Sequence, residues 1–352
     1  MKPVVFAGAA HWDRANKGAS TAGLFRLSGG NGKWQRLSEG LPADVEVRAI
    51  AIRPDAPQTV YVGTQQGPYC SEDGGKSWRA LPLPGEKKVV WSILLHPEDT
   101  GVIYVGAEDL AIYKTTDGGQ SWRLLPTVEP AGLCRMGFPS RVIRLALDPS
   151  APDEIYAGVE VGGVIRSLDG GDSWNDISAG LLTLAEQPHL KSRIGSDTDT
   201  EGMMDSHALT VSPAAPGTVI LATRMGLFRS RDRGESWEEM GIGRFSPLTY
   251  ARDVQVFPHD PKVMHAALSV AATSDAGSLY QSRDLGATWS RLDHDVEINS
   301  TLMIIATSHQ DSKRIYCAAR RGQVFGTEDG GTSWRTLPLP KGVEGVYALA
   351  CA

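Results

Sequence analysis

The chain has 352 residues, with 35 Lys and Arg against 41 Asp and Glu, a net charge of -6. That balance excludes a globally basic nucleic-acid binder. An apolar content of 41% with 22% charged residues excludes a disordered chain, and no apolar run approaches the ~20 residues of a membrane helix. The 39 glycines and 21 prolines point to frequent turns. The four cysteines, at 70, 134, 317 and 351, lack metal-ligand spacing. They read as free thiols of a reducing compartment, and the chain is expected to be cytoplasmic. Lys2 and the apolar run 3–10 have the look of a short leader, but the repeat described next needs that run as a strand.

Tryptophans recur at 34, 78, 122, 174, 237, 289 and 334, a unit of about 44 residues with three larger insertions. Six are preceded by the pattern Ser/Thr-x-Asp-x-Gly-x-Ser/Thr-Trp, beginning at Ser71, Thr115, Ser167, Ser230, Ser282 and Thr327. A seventh copy, from Ser28 to Trp34, lacks the Asp and is one residue shorter. Such a segment is a strand-to-strand turn. The Asp accepts backbone N–H groups, the Gly supplies positive φ, and the Trp buries its ring beside the next strand. Six repeated sites cannot all be catalytic, so Asp73, Asp117, Asp169, Asp232, Asp284 and Asp329 are assigned to folding.

The elements follow in chain order. Residues 4–8 read as the second strand of a first unit that lacks its first strand. In the second unit the strands are 47–52, 59–63, 69–71 and 78–81, and the same order recurs through five further units. Residues 346–351 align with 47–52 and supply the missing strand. The expectation is an all-β, seven-bladed β-propeller in one domain, 1–352, its first blade built from 1–41 plus 344–352. Closure of the ring by the C-terminal strand leaves no long exposed edge.

The repeated turn resembles the Asp-box, or BNR repeat, of sialidases, xyloglucanases, sortilin-type receptors and the photosystem II assembly-factor propellers, and the resemblance covers nearly the whole chain. In those families the motif is the turn between the third and fourth strands of a blade. Sialidases are similar only in these turns: they have six blades and an Arg-Ile-Pro motif that is missing here, so sialidase activity is not expected. Xyloglucanases pair two propellers. The assembly factors are the non-enzymatic comparison.

Insertions at 9–22, which carries His11, Trp12, Asp13 and Arg14, and at 127–140, 181–205 and 269–277 are expected on one face, over the channel. Two rings of equivalent positions should border that end. The innermost strands contribute Arg48, Trp91, Ile143, His207, Arg252, Leu302 and Tyr347; the ends of the second strands contribute Ala10, Gln65, Glu108, Glu160, Arg224, Leu268 and Arg320. The acidic pair Glu108 and Glu160, from neighbouring blades, is expected to share one volume and divide acid and base roles, with His207 assisting. Arg48, Gln65, Trp91, Arg224, Arg252, Arg320, Tyr347 and His11 are the substrate-binding candidates, arginine giving two-point recognition of carboxylates. No cofactor is expected. The calcium-like run 197–202 lacks its final Glu, since Ala208 stands there, and Asp293-His294-Asp295 reads as a solvated turn, so no metal is expected. These features imply a hydrolase or lyase acting on a small polar, anionic substrate. The alternative is a non-catalytic scaffold binding a protein or peptide on the same face.

Overall fold

The computed structural model describes residues 3–11, 21–29 and 32–352. Seven four-stranded antiparallel sheets form a closed ring. In blade 1 the C-terminal strand Val346–Cys351 pairs with Val4–Ala9, which pairs in turn with Gly23–Ser28 and Trp34–Leu37. Blade 2 is Val47–Ile52, Val60–Thr64, Gly67–Ser71 and Arg79–Ala80, and the remaining blades repeat its order outward from the channel. Trp12, Asp13 and Arg14 lie outside the described residues.

Each second strand is buried along its whole length or nearly so, because it is covered by a neighbouring blade on both faces. That burial explains continuous apolar runs such as Ile315–Ala319 instead of alternation. The fourth strands are shorter than their apolar pattern implied. In blades 2 to 7 only two residues pair, for example Arg79–Ala80 and Glu238–Glu239, and both are exposed. In these blades the Trp precedes the strand, and tryptophans tie blades together: the indoles of Trp34, Trp237 and Trp334 donate to carbonyls of Leu337, Ile177 and Leu292, each in the preceding blade.

All six complete aspartate turns share three hydrogen bonds to the carboxylate, from the hydroxyl two residues before it and from the hydroxyl and backbone N–H four residues after it. Asp117 accepts from the Thr115 hydroxyl at 2.7 Å, the Ser121 hydroxyl at 2.6 Å and the backbone N–H groups of Gln120 and Ser121 at 2.9 Å. These donors, the Ser121 hydroxyl foremost, hold its carboxyl well below the ordinary carboxylate range. Gly118 and Gly119 follow at φ 71° and 91°, the left-handed region that glycine reaches without strain.

The largest insertion is helical in part. Ala179–Leu184 and Glu201–Met204 are short helices flanking a 3₁₀ turn at Pro188–Leu190. They form because Leu181, Leu190, Met203 and Met204 bury against the core between blades 4 and 5. Among the described residues no helix is long and apolar enough to cross a membrane.

Candidate functional site

Every innermost strand carries a β-bulge near its start, after one residue pair in six blades and after two in blade 6. A bulge leaves its extra residue outside the ladder and turns that side chain away from its neighbours. In five blades the extra residues are Arg48, Trp91, His207, Arg252 and Tyr347. In the other two they are Ile143 and Met303. All seven line a single cavity of about 440 Å³ at the channel mouth. The ring expected from sequence is therefore offset by one in blade 7: Met303 occupies the bulge, while Leu302 pairs with Ala319 and is buried. The innermost strand of blade 7, Leu302–Thr307, lacks the proline that follows those of blades 2 to 6.

The second ring is only partly at the cavity. Glu160 and Arg224 line it; Gln65, Glu108, Arg320 and His11 are not among the lining residues. The Gln65 carboxamide is spent on the rim backbone, accepting from Glu46 N–H at 2.9 Å and donating to the Asp44 carbonyl at 3.0 Å. In blade 6 the position equivalent to Glu160 is Ser269, since Leu268 already pairs with Ala251.

Glu108 and Glu160 do not meet in this cavity. Arg141 stands between their strand ends: its backbone bridges to Glu108, and its carbonyl accepts the Glu160 N–H. Its guanidinium then takes the Glu160 carboxylate at 2.7 Å. A guanidinium in that place satisfies a carboxylate better than a second carboxylate, which would repel it.

Stepping two residues back from each bulge identifies what the sequence reading missed. These positions share the bulge residue's end of the strand, and they are Glu46, Arg141, Asp205 and Tyr250 in blades 2, 4, 5 and 6. Glu46 pairs with Arg48, both buried. Asp205 lies 3.2 Å from His207 Nε2 and 3.3 Å from Arg224 Nε. Burial alone pushes the Asp205 carboxyl up, but His207, then Arg224 and Arg252, outweigh it and hold the group below its ordinary value. The Tyr250 hydroxyl is 3.3 Å from His207 Nε2, and burial pushes its pKa up. Deeper in the channel, Arg144 pairs at 3.1 Å with the buried Asp253.

His207 Nδ1 lies 2.7 Å from the Ala251 carbonyl. A carbonyl only accepts, so Nδ1 carries the hydrogen, and Nε2 faces the Asp205 carboxylate and the Tyr250 hydroxyl. On the opposite wall the Arg48 and Arg141 guanidinium carbons lie 4.9 and 4.5 Å from the Trp91 ring centroid. Tyr347 meets the same ring edge-on at 5.7 Å.

Five arginines line the cavity: Arg48, Arg141, Arg144, Arg224 and Arg252. Four have carboxylate partners, Glu46, Glu160, Asp253 and Asp205 in that order. Arg252 forms no ion pair with any described residue. It interacts electrostatically with Tyr250, Tyr347, Asp205 and Glu160, and its side chain hydrogen-bonds Tyr250. Arg252 is thus the one lining arginine with no carboxylate at ion-pair distance among the described residues.

Val161, next to Glu160, adopts φ 54°. For a β-branched residue that conformation is strained by ~1–3 kcal/mol. Its carbonyl accepts the Cys134 N–H at 2.9 Å, which anchors the 127–140 insertion over the cavity. In the calcium-like run Asp199 is held by Arg193 at 2.6 Å, and Asp293, expected in a solvated turn, is instead buried and accepts from the Ser278 hydroxyl at 2.7 Å. Among the described residues no cluster of three or more metal-ligating side chains occurs.

The chain is a seven-bladed β-propeller. Its sequence relatives are xyloglucanases. One from Acetivibrio thermocellus is 24% identical over 238 residues, 56% of this chain and 26% of that protein. An oligoxyloglucan-reducing end-specific xyloglucanase of Emericella nidulans is 26% identical over 117 residues, 33% of this chain and 12% of that enzyme. The chain thus spans about a quarter or less of the length of these two relatives. No protein-family model matches it. Solved structures with similar folds include a Niastella koreensis GH74 enzyme, at TM-score 0.61 and 16% identity over 82% of this chain and 45% of that one. They also include YCF48 bound to D1 peptide, at TM-score 0.55 and 15% identity over 84% of this chain and 82% of that one.

Proposed function

We propose that the channel mouth binds a small anionic molecule at Arg252, and that the protein is a hydrolase or lyase acting on it, with His207 as the proton-exchanging group. The charge count carries this reading. Four of five lining arginines are matched to carboxylates, and the fifth is left facing the cavity. A guanidinium in a sheltered, polar-lined site is a strong two-point partner for a carboxylate. His207 supplies the proton chemistry. With Nδ1 fixed by Ala251, Nε2 either donates to Asp205 as the imidazolium or accepts from Tyr250 as the neutral ring. The kinship with xyloglucanases supports a hydrolase. The acid–base pair expected at Glu108 and Glu160 is replaced in this reading by His207, because Glu160 is engaged by Arg141.

The test is a turnover screen on small esters, lactones and glycosides of organic acids, comparing the parent with His207→Gln. The reading predicts a loss of ~10²-fold or more in turnover with anion binding retained. A second reading, non-catalytic capture of an acidic peptide end in the same site, is favoured by the engagement of Glu160 and Asp205 with arginines. It predicts binding without turnover and no effect of His207→Gln on any rate.

A further inference from the structure

We infer that the ligand of this cavity is amphipathic: an anionic head at Arg252 attached to an apolar body of several carbons, lying under the insertion loops. The inference rests on the anion-binding reading above and adds the class of molecule. Its first support is volume. A cavity of about 440 Å³ falls in the range of sites for whole small molecules, ~300–1,000 Å³, and exceeds what a bare carboxylate or phosphate fills.

The second support is where the apolar groups stand. The bulge ring presents guanidinium, imidazole, phenol and indole groups, with Ile143 and Met303 completing it. The residues that three separate insertions bring to the cavity are mostly of another kind: Met136 and Phe138 from 127–140, Ile194 from 181–205 and Ala272 from 269–277. Ile194 is 36% exposed, and Met136, Phe138 and Ala272 are only half-buried. Three unrelated segments converge with apolar side chains on one opening, which is where a ligand would remove that surface from water. Methionine, with its adaptable side chain, suits a body of variable shape.

These segments are also held in place. Two backbone N–H groups, of Ile194 and Gly195, donate to the buried Glu201 carboxylate, which fixes the turn that presents Ile194. Phe138 lies 4.2 Å from the Arg141 guanidinium, so one face of the ring is occupied by protein. The cavity thus sets the Arg252 guanidinium on the bulge ring against apolar side chains carried by the insertions.

The experiment is isothermal titration of the full chain with butyrate, hexanoate and octanoate, with succinate as a carboxylate lacking the apolar body. The parent is expected to gain about fourfold in affinity per added methylene until the apolar side chains are covered, and to bind octanoate more tightly than succinate. Phe138→Ala is expected to reduce the gain per methylene. Met136→Ala, on the same insertion, serves as the second variant should Phe138→Ala fail to fold. Affinities for butyrate and octanoate within twofold of each other, or succinate as the tightest ligand, overturn the amphipathic ligand while leaving the anion site standing. Absence of binding by all four carboxylates overturns both.

Discussion

Removing the closing strand, residues 346–352, is expected to abolish the fold. Val346, Ala348, Leu349 and Cys351 are each at most 6% exposed, and Val346, Leu349 and Cys351 pack into the cluster that joins blade 1 to blade 7. Val346 and Leu349 contribute about 1.5–3 kcal/mol each by burial alone, and the two smaller residues about 1 kcal/mol each. The backbone ladder to Val5, Phe6, Ala7, Gly8 and Ala9 is lost as well. A deficit of that size is comparable to the ~5–15 kcal/mol that keeps a typical domain folded. It also exposes an apolar strand edge that promotes aggregation. The assay is urea unfolding followed by tryptophan fluorescence, with the soluble fraction measured in parallel. Because the truncated chain is expected to be insoluble, Leu349→Ala provides the quantitative version, a loss of about 2–5 kcal/mol for a large-to-small change in a packed core. A truncated protein that is soluble and unfolds at the parent's urea midpoint would refute the ring closure.

Glu160→Gln is expected to raise affinity for small carboxylates several-fold, because it releases the Arg141 charge into the cavity; titration calorimetry that finds weaker binding contradicts the charge count. In the aspartate turns the folded-state carboxyls titrate below their ordinary value, Asp169 at about 2. Their stabilisation is therefore complete above pH ~4 and is lost as pH falls through those lowered values. Thermal melting between pH 5 and 2 should show it, and Asp117→Ala should flatten part of that fall. Of the four thiols, Cys70, Cys317 and Cys351 are buried, with burial pushing Cys351 up to about 12, while Cys134 is partly exposed. A thiol reagent should modify Cys134 first in the native protein and the others only on unfolding.

The blade count and closure were legible because a turn demanding Asp, Gly and Trp at fixed offsets recurs in phase, and because residues 346–351 align with 47–52. The bulge ring was largely legible too, since six residues before the strand's terminal proline is a conformational position as well as an alignment column. It slipped at Leu302, where no proline marks the register. The acidic pair was misplaced for a different reason. Equivalent positions in neighbouring blades put Glu108 and Glu160 at equivalent strand ends, but side-chain destination is set by competition for partners, and Arg141 takes Glu160. Arg141, Asp205 and Tyr250 went unnoticed although each precedes a bulge residue by two. Positions two apart on a strand share a face, so a charged residue at that offset is the natural partner of the ring.

The proposed function stands or falls with Arg252 as the anion-binding group of the channel mouth. The direct measurement is calorimetric titration of a small carboxylate into the parent and into Arg252→Gln, with melting temperatures recorded for both. Binding to the parent is expected, with a loss of at least about 30-fold in the variant, the scale for truncating one partner of a sheltered charge pair, and with the fold retained. Equal affinity in the two proteins, or a parent that binds neutral analogues as well as carboxylates, would contradict it.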